Sequence, residues 1–227
     1  EESIRFTDFH VNATCMPTRA ALMTGRYPSR SGIWHIQSRI NMDKEEITMA
    51  DIFNMNGYKT GIFGKWHLGD WFPSRPNDRG FNHSLIHKSG AVGYVPDYWG
   101  NSRFNAHYYK NGVPEKFEGY CTDIFFEEAI GFMENHQDEP FFIYLPTSAP
   151  HSPLNVKEEY YNLYRDIEDL SEGQKTFYGM ITNIDDNMEL LEKKLEELNL
   201  RKNTILIFMT DPGIDRSSPV ASDIVEA

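Results

Sequence analysis

Residues 58–70 read YKTGIFGKWHLGD. Tyr58 to Phe63 reads as a short strand closing at Gly64-Lys65-Trp66-His67, which leaves a lysine and a histidine at its carboxyl end. Just upstream, Thr48 is a good N-cap with Asp51 three residues on, a variant of the capping box. Met49, Ile52 and Phe53 share one face of the predicted helix, and Gly57 ends it. The same pairing recurs downstream. A helix over about Thr122 to His136 turns Ile124, Phe125, Ala129, Phe132 and Met133 inward. It leads to Phe141–Leu145, a continuous apolar run that fits a strand buried on both faces. That run empties into Pro146-Thr147-Ser148-Ala149-Pro150-His151. From Gln174 to Leu198, Phe177, Ile181, Ile184, Met188, Leu191, Leu195 and Leu198 draw one apolar helical stripe. Thr204 to Met209 reads as another buried strand, ending at Thr210-Asp211. Helices alternating with apolar strands predict an α/β fold with a mostly parallel sheet flanked by helices. Ligands bind beyond the carboxyl ends of such strands, which is where Lys65 with His67, His151 and Asp211 fall.

The remaining stretches frame that core. Ile4, Phe6 and Phe9 suggest a short buried strand or loop. Residues 70–120, rich in Pro, Gly, Asn and aromatics, read as long ordered loops of the kind that carry specificity. Their basic residues Arg75, Arg79, Lys88 and Arg103 read as surface charges or as contacts to an anionic sugar. In NATCMPTRAALMTGRYP, residues 12–28, Pro17 sets φ for a helix start and Gly25 suits the left-handed position after its end. Cys15 then lies at a helix N-terminus, where free backbone N–H groups favour negative charge. The thiol is open to three readings: a small buried hydrophobe, an acidified nucleophile, or a precursor converted after synthesis.

Composition narrows the function classes. The 227 residues carry a formal charge of −12, which disfavours general attraction to nucleic acid or anionic membranes. An anionic substrate would need a local cluster of Lys, Arg and His. No apolar run is long enough to span a bilayer, and the two cysteines, Cys15 and Cys121, make no disulfide framework.

The run CMPTRAALMTGRYP resembles the signature of the sulfatase family, whose core Cys-x-Pro-x-Arg is present as Cys15, Pro17 and Arg19. GYKTGIFGKWHLGD, residues 57–70, resembles the second signature of that family, and TSAPHSPL, residues 147–154, its histidine-bearing loop. Gly179 to Asp211 is similar to the family's long helix, strand and metal-binding aspartate. RPNDRGF and GYCTDIFFEEAI are further family-like stretches, and the matches run in family order. The resemblance implies an alkaline-phosphatase-like fold, with residues 1–211 a partial catalytic domain and 212–227 an unassigned tail. It also implies a sheet that lacks the family's first strand and a chain that lacks its C-terminal subdomain.

The implied activity is hydrolysis of an aryl or carbohydrate sulfate ester. A dedicated enzyme converts the cysteine to formylglycine, whose hydrate is the nucleophile. The resemblance assigns Cys15, Arg19, Lys65, His67 and His151 to catalysis, and Asp211 with the converted Cys15 to a calcium ion. Arg19 would steady the deprotonated diol, Lys65 the sulfate oxygens, His67 would be the base, and His151 would serve the leaving oxygen. Pro212 stands where the family has a second ligand after the aspartate. The family mostly works outside the cytoplasm. Two alternatives stay open, a non-catalytic anion or sulfated-glycan binder and a phosphoester hydrolase of the same fold.

Overall fold

A computed structural model describes residues 3–36 and 41–213 of the chain. The expected tail beyond Gly213 lies outside the described residues. Helices α1 (Cys15–Thr24) and α2 (Met49–Met55) precede strand β1 (Lys59–Lys65). Strands β2 (His83–His87), β3 (His107–Lys110) and β4 (Val113–Lys116) follow, then helix α3 (Cys121–Asn135) and strand β5 (Phe141–Tyr144). A short α4 (Glu158–Asn162) and the long α5 (Glu172–Glu197) complete the order. The five-stranded sheet runs β4-β3-β2-β1-β5. The β5-β1-β2 part is parallel, and β3 and β4 add to it antiparallel.

Side-chain alternation along the parallel strands sorts the core into layers. Ile62 and Ile86 point to the face covered by α1 and α2, where Met16, Ala20, Met23 and Ala50 are buried with them. Phe63 and Leu85 point to the other face, against Ile124, Phe125 and Ala129 of α3. On that side Phe126 and Met133 of α3 meet Leu191 and Leu195 of α5. The local signals perform as read. Thr48 and Asp51 form the reciprocal capping box, and Gly25 closes α1 at φ 65° with its N–H on Ala21 O. At the end of β1, the Lys65 N–H donates to Pro146 O at 2.7 Å. The chains approach so closely there that a Cβ on Gly64 would sit 2.1 Å from that oxygen, so only glycine fits.

Several expectations need correction. Ile4, Phe6 and Phe9 are exposed rather than buried. The 70–120 region is not all loop, because β2, β3 and β4 lie inside it. Strand β5 is half-buried rather than covered on both faces, since β1 is its sole partner strand among the described residues. Ile52 of α2 and Ile181 of α5 face solvent, while Phe53 stacks on Phe142 at 4.5 Å. Residues 204–209 form no regular element and pair with no strand among the described residues. Ile205, Ile207 and Phe208 are therefore 88%, 74% and 75% exposed, and only Leu206 packs on the α3–α5 cluster. Apolar composition makes a strand buried only when a neighbour supplies the ladder. Arg79 and Arg103 are buried, not surface charges. Arg79 donates from Nη1 and Nη2 to the carbonyls of Met42, Asp43, Lys44 and Glu46, while its buried Nε has no partner among the described residues.

Helices α3 and α5 share a buried polar tie. The Asp123 carboxylate accepts from Asn183 Nδ2 at 2.8 Å and Asn187 Nδ2 at 2.9 Å, and pairs with Lys157 Nζ at 2.5 Å. Asn183 and Asn187 are buried, so an Asp123→Ala change strands donors. It is expected to lower unfolding free energy by about 2–3 kcal/mol. Urea titration checks this, with a lower midpoint and an unchanged slope.

Candidate active site

Cys15 is the first residue of α1 and is 8% exposed. Thr14 precedes it in extended conformation as the N-cap, so the thiol sits where the helix has unpaired N–H groups. The sulfur lies 3.4 Å from His67 Nδ1. His67 reaches it from just past the end of β1, with a left-handed backbone at φ 60°. That backbone is held from both sides. Trp66 is fully buried, donating its indole N–H to Ser74 O at 2.9 Å, and Leu68 is fully buried. Gly90 covers the imidazole so closely that a Cβ there would sit 2.8 Å from Cε1.

One turn along α1, Arg19 is 6% exposed. Its Nε and Nη2 reach Asp211 Oδ2 at 2.9 and 2.8 Å, and Nη1 donates to Lys65 O at 2.6 Å and Tyr144 Oη at 3.3 Å. Lys65 is 2% exposed, and burial followed by the Arg19 charge pulls its ammonium down to about 8. Burial, then Lys65 and Arg19, push His67 down to about 2. The ring is thus neutral at pH 7, with a lone pair free to take a proton.

His151 stands on the turn after β5, and burial also lowers its pKa. Its Nδ1 lies 2.7 Å from Ser152 O, a contact that needs the proton on Nδ1 and leaves Nε2 as the acceptor nitrogen. Arg103 fixes this turn by donating to the carbonyls of Pro153, Ser148 and His151. The edge of Tyr94 meets the His151 ring at a centroid distance of 6.0 Å. Cys15, Met16, His67, Asp70, Tyr94 and His151 help to line one cavity of about 200 Å³.

The sequence-predicted residues therefore converge. Cys15, His67 and His151 share the cavity, while Arg19 and Lys65 form a buried cationic floor beside Cys15. Asp211 arrives as well, but as the partner of Arg19. Among the described residues no group of three or more His, Cys, Asp or Glu side chains could hold a metal ion. Hard cations such as calcium take about 6–8 oxygen ligands, so Asp211 and position 15 alone do not fit one. Sequence reading missed Tyr144, Gly90, Asp70, Tyr94 and His87. Only Tyr144 carried a hint, as the polar end of an apolar strand.

His87 pairs in register with Lys65 and is fully buried, with Nε2 lacking a partner among the described residues. Burial holds it down at about 3, with Lys65 adding to the shift. A depressed histidine pKa means the unfolded chain binds more protons between pH 6.5 and the folded value. Stability contributed by His67 and His87 is therefore complete above pH 6.5 and falls as pH drops toward 3. At pH 5 each should have lost about 2 kcal/mol. Urea unfolding at pH 7 and pH 5 measures this, and His87→Gln should remove about half of the difference.

The full arrangement now bears comparison with known proteins. The profile of the sulfatase family matches residues 1–220. An arylsulfatase of Hemicentrotus pulcherrimus is 30% identical over 240 residues, which takes in 95% of this chain and 41% of that protein. The N-acetylgalactosamine-6-sulfatase of Homo sapiens is 27% identical over 235 residues, 93% of this chain and 43% of that one. Among solved structures, Ps i-CgsB in complex with k-i-k-neocarrahexaose superposes with a TM-score of 0.72 at 31% identity. It covers 82% of this chain and 45% of its own. The chain thus spans less than half the length of these relatives, and its mixed sheet flanked by helices is part of the alkaline-phosphatase-like fold. A profile that takes in nearly the whole chain, and a fold that brings Cys15, Arg19, Lys65 and His67 together, place this chain in the sulfatase family.

Proposed function

We propose that this chain carries the catalytic centre of a sulfuric ester hydrolase whose nucleophile is a formylglycine made from Cys15. The observation that supports it most directly is the 3.4 Å contact between the Cys15 sulfur and the His67 ring, beside buried Lys65 and Arg19. The thiol stands in for a geminal diol, the hydrate of the aldehyde. An external formylglycine-generating enzyme performs the oxidation of Cys15, reading Cys15, Pro17 and Arg19. By the same family reading, the protein works outside the cytoplasm.

The residues present suit the two halves of the cycle. One diol oxygen attacks the sulfur of the ester and gives its proton to His151 Nε2, the S–O bond to the alcohol breaks, and His151 hands that proton to the departing oxygen. The enzyme is left as a hemiacetal sulfate. His67 then takes the proton of the remaining hydroxyl, the carbonyl re-forms, and the C–O bond to sulfate breaks. Water rehydrates the aldehyde. Lys65 meets the sulfate oxygens in a site of low dielectric, where its charge is worth more than in water. Arg19 acts through its charge, since its donors are held by Asp211, Lys65 O and Tyr144. No step is routed through calcium, because the described residues do not fit that ion.

A phosphoester hydrolase of this fold would use a serine or threonine where this chain has Cys15, and an inert anion binder would keep the thiol. Mass spectrometry of the tryptic peptide bearing Cys15, after co-expression with a formylglycine-generating enzyme, separates these readings. An aldehyde is the expected product, and an unchanged thiol refutes the proposal. In parallel, Lys65→Ala should weaken binding of inorganic sulfate about tenfold by calorimetry.

A further inference from the structure

The cavity that holds Cys15, His67 and His151 has a second side. Asp70 lies on its wall, three residues beyond His67, with its carboxylate accepting the Ser89 N–H at 3.2 and 3.3 Å. One backbone donor leaves lone pairs of both oxygens unused. Tyr94 presents a half-exposed ring to the same cavity. Trp71, next to Asp70, is 61% exposed and sits 4.0 Å from Lys88 Nζ, which also contacts the Tyr109 ring at 4.2 Å. Lys88 is thereby held between two rings beside Asp70.

The cavity is thus divided by charge. Buried Lys65 and Arg19 lie behind Cys15, while Asp70 and the aromatic Tyr94 line another part of the same cavity. A sulfate ester seated on the cations would present its alcohol portion to Asp70. A carboxylate there repels a second anion and gains nothing from a bare aryl ring. It is well served by a hydroxyl or amine donor, the strong charge-assisted type of hydrogen bond. An aromatic face beside such an acceptor suits a pyranose, which has C–H faces and hydroxyl edges.

We infer that Asp70 is a specificity-determining residue that selects a sugar sulfate carrying a free hydroxyl or amine beside the ester, with Tyr94 as the apolar wall for the ring. This rests on the reading of Cys15, Arg19, Lys65, His67 and His151 as the sulfate site. Specificity comes partly from rejection, since a second sulfate at the neighbouring position meets the carboxylate.

The test uses the full chain with Cys15 as the thiol, so that binding is read without turnover. Affinities are measured by calorimetry for inorganic sulfate, 4-nitrophenyl sulfate, N-acetylgalactosamine 6-sulfate and N-acetylgalactosamine 4,6-disulfate. The 6-sulfate should bind more tightly than both the aryl ester and the disulfate. Asp70→Asn keeps the size and one acceptor oxygen for Ser89, and should cut the ratio of sugar to aryl affinity about tenfold. It should also narrow the gap between the 6-sulfate and the disulfate. Tyr94→Ala should lower the same sugar-to-aryl ratio. An unmoved ratio in Asp70→Asn, or equal weakening of all ligands, overturns the inference, the latter because Asp70 would then only brace Ser89. If sulfate binds and Lys65→Ala releases it while the Asp70→Asn ratio stays unmoved, the sulfate-site reading stands and this inference alone falls. If no ligand binds, both fall.

Discussion

A single buried guanidinium holds the site together. Arg19 leaves α1, crosses to the carboxyl end of β1, touches the hydroxyl at the end of β5, and ends on the carboxylate of Asp211. These groups are 46 to 192 residues away from it in sequence. A guanidinium with 6% exposure cannot be left short of partners, because an uncompensated buried charge is strongly destabilising. The segments must therefore arrive together. Their arrival sets Cys15, one turn before Arg19, against His67, two residues after Lys65. The Gly64 contact with Pro146 enforces the same closeness from the sheet side, by backbone rather than charge.

That local arrangement also answers the global charge. A chain with a net −12 repels anions at long range, but exposed charges are screened beyond about 10 Å. Inside the cavity the count is different. Lys65 and Arg19 are almost wholly buried, and Cys15 adds the positive end of α1. Buried charges act through a lower dielectric, so a handful of cations decides what enters. The acidic exterior and the cationic site are thus compatible, because they act over different distances.

Much of this was legible in the residues. Helices α1, α2, α3 and α5 declared themselves through caps, Gly25 and apolar spacing, and β1 through its run into Gly64-Lys65-Trp66-His67. Motif agreement brought Cys15, Arg19, Lys65, His67, His151 and Asp211 to one place, and the fold does the same. The losses have physical causes. Strand β2 is short and has histidines at both ends, and every residue of β4 is exposed, so neither shows an apolar run. Residues 204–209 have the composition of a buried strand without a ladder partner among the described residues. Arg79 and Arg103 look like solvated charges by residue type, yet both are buried and donate to backbone carbonyls. His87, Asp70 and Tyr94 are single residues whose roles depend on what faces them, which no spacing encodes.

Under the proposed function, the neutrality of His67 would be coupled to the ligand. Burial and two neighbouring cations keep the ring unprotonated, which supplies a lone pair but makes it a weak base, since a proton on it must join Lys65 and Arg19. A bound sulfate ester changes that account. Its negative charge, seated beside the same cations, would offset the repulsion that an imidazolium feels, so the proton affinity of His67 would rise on binding. In the proposed cycle, the charge that must be expelled at the end would then be the charge that makes the base effective. Once sulfate left, the cations would again face the ring directly, and the proton would return to solvent. Binding, proton transfer and release would then be governed by one set of buried charges, which gives the placement of Arg19 and Lys65 inside the fold rather than on its surface a role in that proposed cycle.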